Sequence, residues 1–247
     1  IFSDWQETDS SALLSNLEKN QELKAALIEE TPWVLDAKNE QEQKKNLKVL
    51  FDVTRMSKEL ERTTRELALM QSPNGGFSWF KGMPDDRFVT QYILSGMGRL
   101  KHLGVKEMGS NQRVQSIIAK AIPYLDARLV EDYNELLKTK AKLSEQQISY
   151  FQLQWLYMRS LFLTDYTIQE QTRTAFKFYK EQCAKYWVKQ NKYMQALSAI
   201  SLHRMGDEIT PKAIIASLRE NAIHKEALGM YWKEINSSYW WYEAPVE

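Results

Sequence analysis

The sequence predicts an all-α protein built as a succession of helical hairpins, and three observations predict it. Glycine and proline are scarce, nine and six in 247 residues, too few for the turns of a β-rich chain. Apolar residues recur at helical spacing along nearly the whole length. The breaks between these runs are turns, with a helix pair about every 50 residues, the pattern of a helical repeat or α/α toroid.

Taken in order, residues 10–30 carry Leu13, Leu14, Leu17, Leu23 and Leu27, enough for one or two short helices before Thr31-Pro32-Trp33 interrupts them. Residues 1–35 read as a helical lead-in and 36–247 as the principal domain. From Glu40 to Gln71 there is neither Gly nor Pro. Leu47, Leu50, Phe51 and Thr54 mark one helical face, and Leu60, Thr64, Leu67 and Met70 mark a second, slightly out of phase. That predicts either a tight joint near Met56-Ser57 or one bent helix, with Glu61 and Arg65 paired on the solvent face.

Gln71-Ser72-Pro73-Asn74-Gly75-Gly76-Phe77-Ser78-Trp79-Phe80 then breaks the helical pattern. Pro73 restricts Ser72 to extended geometry, and the glycines admit positive φ. Three rings in one sharp turn are expensive to expose, so Phe77, Trp79 and Phe80 are expected to tuck between helices.

Asp85-Asp86 can cap the next helix, marked by Phe88, Tyr92, Met97, Leu100 and Leu103 and ended by Gly104. Gly96 and Gly98 within it point to close packing. The following helix spans about Gln112 to Lys138, and Pro123 should kink or split it. Ser144 and Gln147 match a capping box for a helix through Tyr150–Leu163 that is apolar on most sides, hence buried on both. Ile168, Thr172, Phe176, Tyr179, Cys183 and Trp187 form the stripe of the next. Tyr193, Leu197, Ile200 and Met205 mark another, stopped by Gly206-Asp207. Thr210 caps the last, with Pro211 at its first position.

Composition narrows the function. Net charge is +1 with acids and bases interspersed, so the one-signed stripe of a nucleic-acid binder is absent. No run approaches the roughly 18 apolar residues that span a bilayer. Ile1-Phe2-Ser3-Asp4 shows neither an initiator Met nor a signal-peptide pattern and reads as part of a longer chain. The single cysteine excludes an internal disulfide.

The sequence holds no metal-binding motif. His102, His203 and His224 lack ligand spacing, although His203 and Asp207 stand four apart. Cys183, on an apolar stripe, reads as an inert buried thiol. Asp85 and Asp86 can divide acid and base roles or hold magnesium for a diphosphate, or else simply cap a helix. Asn74-Gly75-Gly76 can offer amides to an anion. Trp232, Trp240 and Trp241 can stack a sugar or peptide, or plug one end of a helical barrel. Candidate binding residues are therefore Trp79, Phe80, Asp85, Asp86, Trp232, Trp240 and Trp241, with no cofactor.

The turn Gln71-x-x-x-Gly75-Gly76-Phe77 before a helix resembles the Gln/Gly/aromatic turn of α/α-toroid proteins. Together with Tyr231-Trp232 and Trp241-Tyr242-Glu243-Ala244-Pro245-Val246-Glu247, it resembles the thioester-type domain of large bacterial relatives of alpha-2-macroglobulin. That resemblance covers residues 30–247 and implies a toroid of the terpenoid-cyclase and complement thioester-domain type, incomplete at its C-terminal edge. An open edge would expose apolar surface unless a neighbouring domain or second copy covered it. Gln71, Gly75, Gly76, Phe77, Tyr242 and Pro245 become its structural turn residues.

The resemblance also implies a bacterial cell-envelope location and a role in protease trapping. The partners are other domains of the same parent chain and, through the parent, proteases. Neither nucleic acid nor direct membrane insertion is implied. The family's thioester joins a cysteine to a nearby glutamine upstream of the turn. Here Thr31–Gln41 holds no cysteine, and Cys183 is followed by Ala184, Lys185 and Tyr186. The implied trapping is steric. A rival reading is an α/α-toroid enzyme acting on a carbohydrate or isoprenoid through Asp85 and Asp86, although Asp85-Asp86-Arg87-Phe88-Val89 lacks the third acid of a DDxxD motif.

Overall fold

The computed structural model describes residues 53–225 and 229–232. Contacts divide the chain into two units, 1–69 and 70–247. The expected boundary at 35/36 and the helices expected over 10–30 lie outside the described residues.

In the first unit, helix α1 (Val53–Met70) runs unbroken through Met56 and Ser57, so no joint forms there. No Gly or Pro weakens the segment, which leaves the helix free to continue. Thr64 is buried and turns its hydroxyl back to the Leu60 carbonyl at 2.8 Å. The helix ion pairs centre on Arg62, which reaches Glu59 at 2.8 Å and Glu66 at 3.4 Å, rather than on Glu61 and Arg65.

The second unit is mostly helical, with α2 (Arg87–His102), α3 (Glu107–Ser110), α4 (Gln112–Lys138), α5 (Tyr150–Ser160), α6 (Glu170–Tyr186), α7 (Lys192–Arg204) and α8 (Thr210–Glu220). A 3-10 turn, Trp187–Lys189, ends α6. One small antiparallel hairpin, β1 (Ile223–Lys225) with β2 (Gly229–Tyr231), departs from the all-α expectation. Gly229 sits at φ +71° where β2 begins. Helical periodicity in the neighbouring sequence concealed these two three-residue strands.

Helices α2, α5 and α7 lie side by side, with α5 in the middle. Contacts from α2 to α5 climb together, from Arg87 over the Phe151 ring to Arg99 donating to Tyr157. Those from α5 to α7 climb in the same sense, from Gln154 donating to Tyr193 up to Arg204 over the Tyr157 ring. The three helices therefore run parallel. Helix α4 returns behind them in the opposite sense, since Asp132 meets Arg87 while Asp126 meets Arg159. Helix α6 packs along α4, with Tyr133 and Phe178 5.2 Å apart, and α8 packs on α7.

Residues 152–160 of α5 are buried without exception, as an apolar circumference requires of a helix with neighbours on both sides. Close packing at Gly98 is real: a Cβ there would stand 2.8 Å from Leu161. At Gly96 the space is open, so that glycine is not explained by packing.

Several expected details shift. Helix α4 continues through Pro123 rather than splitting. The cap of α5 is Ser149, whose N–H donates to Gln152 Oε1 at 2.9 Å, while Ser144 remains in the preceding loop. Ser149 and Gln152 repeat the same spacing five residues on, and the fully buried run fixes which copy is used. The hydrogen bonds that open α8 go to Asp207, which accepts from Ile209 and Thr210 N–H at 2.9 Å each. Burial raises the Asp207 carboxyl, but the bonds from Thr210 and Ile209 outweigh it and hold the carboxyl below its ordinary value. In α7 the buried face is Leu197, Ser198, Ser201 and Leu202, and Ile200 is exposed.

Candidate functional site

The turn before α2 is locked onto α4 by its own polar groups. Gln71 Nε2 donates to the Gly75 carbonyl at 2.9 Å and to the Ile117 carbonyl of α4 at 3.0 Å. Gly75 has φ +96°, and a Cβ on it would stand 2.1 Å from the Lys120 carbonyl oxygen. Only glycine meets both conditions. A Cβ on Gly76 would press on Asp85 at 2.8 Å and Tyr124 at 2.9 Å. The loop then closes through Asp86 N–H donating to the Phe77 carbonyl at 2.7 Å and Phe77 N–H donating to Thr90 Oγ1 at 2.9 Å.

These contacts occupy the groups considered for chemistry. Asp85 accepts from the Ser72 hydroxyl and from Asn74 Nδ2, the latter at 2.6 Å. Asp86 is the N-cap of α2, accepting from Val89 N–H at 2.9 Å. Two of the three amides that can face an anion are also taken, since Gly75 N–H donates to the Ser72 carbonyl and Gly76 N–H to Asn74 Oδ1.

The rings divide. Phe77 is buried, but Trp79 is 52% exposed and Phe80 70%, so the expectation that all three tuck inside is corrected. The loop between Phe77 and Asp86 bulges outward and carries Trp79 and Phe80 with it. Trp79 stacks on Phe88 at 6.0 Å, and Phe88 on Tyr92 at 6.2 Å, making an aromatic ridge along the outside of α2. Trp232 is half-buried and donates its indole N–H to the Leu218 carbonyl at 2.7 Å, tying the hairpin to the end of α8. Trp240, Trp241, Tyr242 and Pro245 lie outside the described residues.

Sequence reasoning missed Arg87. Its Nη1 meets Asp132 Oδ2 at 2.6 Å, and Gln152 Nε2 donates to the same oxygen at 2.6 Å. Arg87 Nε and Nη2 are buried with no hydrogen-bond partner. One turn on, Gln91 donates to the Phe151 carbonyl at 3.1 Å and leaves its own carbonyl oxygen unpartnered. Tyr179 faces this cluster, and burial, reinforced by Asp132 and opposed by Arg87, pushes its phenol above the ordinary range. No spacing rule could join residues 87, 132 and 152, because only the return of α4 behind the parallel layer brings them together.

Cys183 is fully buried, and burial pushes its thiol up to about 11 against a lowering contact from Ser198. A thiol so placed is a poor nucleophile at neutral pH. Among the described residues, no three acids, histidines or cysteines are grouped to hold a metal ion. No described helix is long and apolar enough to cross a membrane. Neither a protein-family model nor a curated protein matches the chain. The turn thus offers a fixed shape with an aromatic exterior, its two carboxylates being spent on internal bonds.

Proposed function

We propose that the chain is a non-catalytic toroid module of a bacterial alpha-2-macroglobulin-like envelope protein, acting by contact with other domains of its parent. The observation that carries this reading is the two-sided character of the turn. Its polar groups bond inward, while Trp79 and Phe80 stand outside on a rigid support. Exposed aromatic rings held by a locked scaffold are the composition of a docking face. The parallel layer α2–α5–α7 backed by an antiparallel α4 supports the α/α-toroid architecture. The paired aromatic stretches of the sequence support the family. With Cys183 buried, and followed in the sequence by Ala184, Lys185 and Tyr186 rather than by a glutamine at the family's spacing, trapping of a protease by the parent is steric.

Protease challenge of the intact parent tests this. Cleavage should compact the parent and restrict the trapped protease toward large substrates while sparing small ones. A parent that is cut without either change overturns the proposal. The rival enzyme reading, on carbohydrate or isoprenoid substrates, gains no support from Asp85 and Asp86, whose partners are Ser72, Asn74 and Val89. Replacing both acids by Asn abolishes turnover under that reading and leaves protease trapping intact under ours.

A further inference from the structure

Tyr157 stands two residues before Arg159 on α5, and residues two apart lie on opposite faces of a helix. Since Arg159 turns to Asp126 of α4, Tyr157 turns to the other side of the parallel layer. There a guanidinium reaches its ring from each neighbouring helix. Arg99 of α2 stands 5.3 Å from the ring centroid, and Arg204 of α7 stands 5.8 Å from it. Two like charges gathered on one ring repel each other unless an anion answers them. Neither guanidinium pairs with a carboxylate among the described residues. Arg99 Nε donates to the Tyr157 hydroxyl at 3.0 Å, and Arg204 Nη1 is buried with no hydrogen-bond partner. The acids that follow these helices are spent elsewhere: Asp165 on Lys101, Asp207 on the amides that open α8, and Glu208 on Lys212. A helix C-terminus favours a cation, but at the end of α7 the Met205 carbonyl already accepts from Lys180 Nζ at 2.8 Å.

The surroundings of this pair are apolar and open. Leu103, one turn past Arg99, is 77% exposed, and Ile200, one turn before Arg204, is 41% exposed. Gly96, three residues before Arg99 on the same side of α2, would meet nothing within 4 Å if it carried a Cβ. A glycine inside a helix costs stability relative to alanine, and no packing within the unit requires one here. It leaves room for another backbone to lie close against α2. Arginine and tyrosine bordered by exposed aliphatic side chains are the composition of a protein-binding hot spot.

We infer that this face binds an extended acidic polypeptide segment, two of its carboxylates meeting Arg99 and Arg204 and its backbone crossing α2 at Gly96. Carboxylates supply the acceptors that both guanidiniums lack, and apolar residues between the acids cover Leu103 and Ile200. The face is separate from the aromatic turn and does not depend on the module's role there.

Calorimetric titration of the full chain with a capped hexapeptide of alternating glutamate and leucine tests the inference. The same peptide with glutamine for glutamate, and inorganic phosphate, are the comparisons. The glutamate peptide should bind saturably at one site, more weakly as salt is added, and more tightly than either comparison. Arg99→Gln and Arg204→Gln should each weaken it by about tenfold. Gly96→Leu, set in open space and a better helix former, should raise the melting temperature and yet block the peptide, a loss that misfolding cannot produce. Absence of saturable binding, or equal binding of the glutamine peptide, would overturn the assignment. So would phosphate binding more tightly than the peptide, which would give the arginine pair to a free oxyanion, or peptide affinity unchanged in both Arg204→Gln and Gly96→Leu.

Discussion

Two regions of this molecule tie acids to the fold, and they do so by opposite means. In the turn, Asp85 and Asp86 take neutral donors from residues at most thirteen positions away: Ser72, Asn74 and Val89. Behind α5, Asp126 takes a full charge from Arg159, which lies thirty-three positions away and is itself completely buried. Arg159 then donates onward to the carbonyls of Tyr166 at 3.0 Å and Thr167 at 3.3 Å, pinning the α5–α6 connection. The Trp155 indole N–H faces the same carboxylate without completing a hydrogen bond. A local network shapes a loop, whereas a distant ion pair fastens two layers together.

The largest expected effect breaks the distant pair. Arg159→Met should destabilise the second unit by about 3–5 kcal/mol near neutral pH, because it strands a buried carboxylate. Denaturant melts read this directly. Burial lifts the Asp126 carboxyl to about 6 from an ordinary 3.8, with Arg159 opposing the rise. Since the folded value exceeds the unfolded one, the stability that Asp126 contributes is complete below its unfolded value and is lost as pH rises through about 6. Without Arg159 the carboxyl rises further, so the penalty of Arg159→Met should grow between about pH 5 and about pH 8. A penalty independent of pH would mean that the pair contributes packing alone.

The turn yields smaller effects. Gly75→Ala meets the Lys120 carbonyl and a left-handed backbone at once, and should cost about 3 kcal/mol. Near-wild-type stability in that variant would show that the loop can lift from α4. Asp86→Ala removes the cap of α2 and should cost about 1 kcal/mol, read from thermal melts. A far larger loss would make the local network as critical as the buried pair. Smallest of all, Arg62→Ala on the exposed face of α1 should leave the melting temperature unchanged, because exposed helix pairs contribute little.

What the sequence revealed follows the same division. The break at Pro73–Gly76, the end of α2 at Gly104 and the burial of α5 were legible, because each depends on a residue's own backbone preference or on helical spacing. Position after the glycine turn is enough to offer Asp86, with Asp85, as a cap of α2. The outward display of Trp79 and Phe80 was not legible, since hydrophobicity predicts burial and says nothing about the direction of a loop. Ser144 and Ser149 offered equivalent capping patterns, and tertiary burial chose between them. Arg87–Asp132 and Asp126–Arg159 were invisible because their members sit on different helices.

The enclosed position of α5 bears on how the second unit opens. At eleven residues it is shorter than a helix that holds together alone in water. Its amides are shielded by α2 on one side and α7 on the other. They can trade hydrogen for deuterium only when both neighbours have parted from it. Exchange at residues 152–160 therefore serves as a clock for global opening of the unit, while the ends of α8 and the small hairpin keep faster local time.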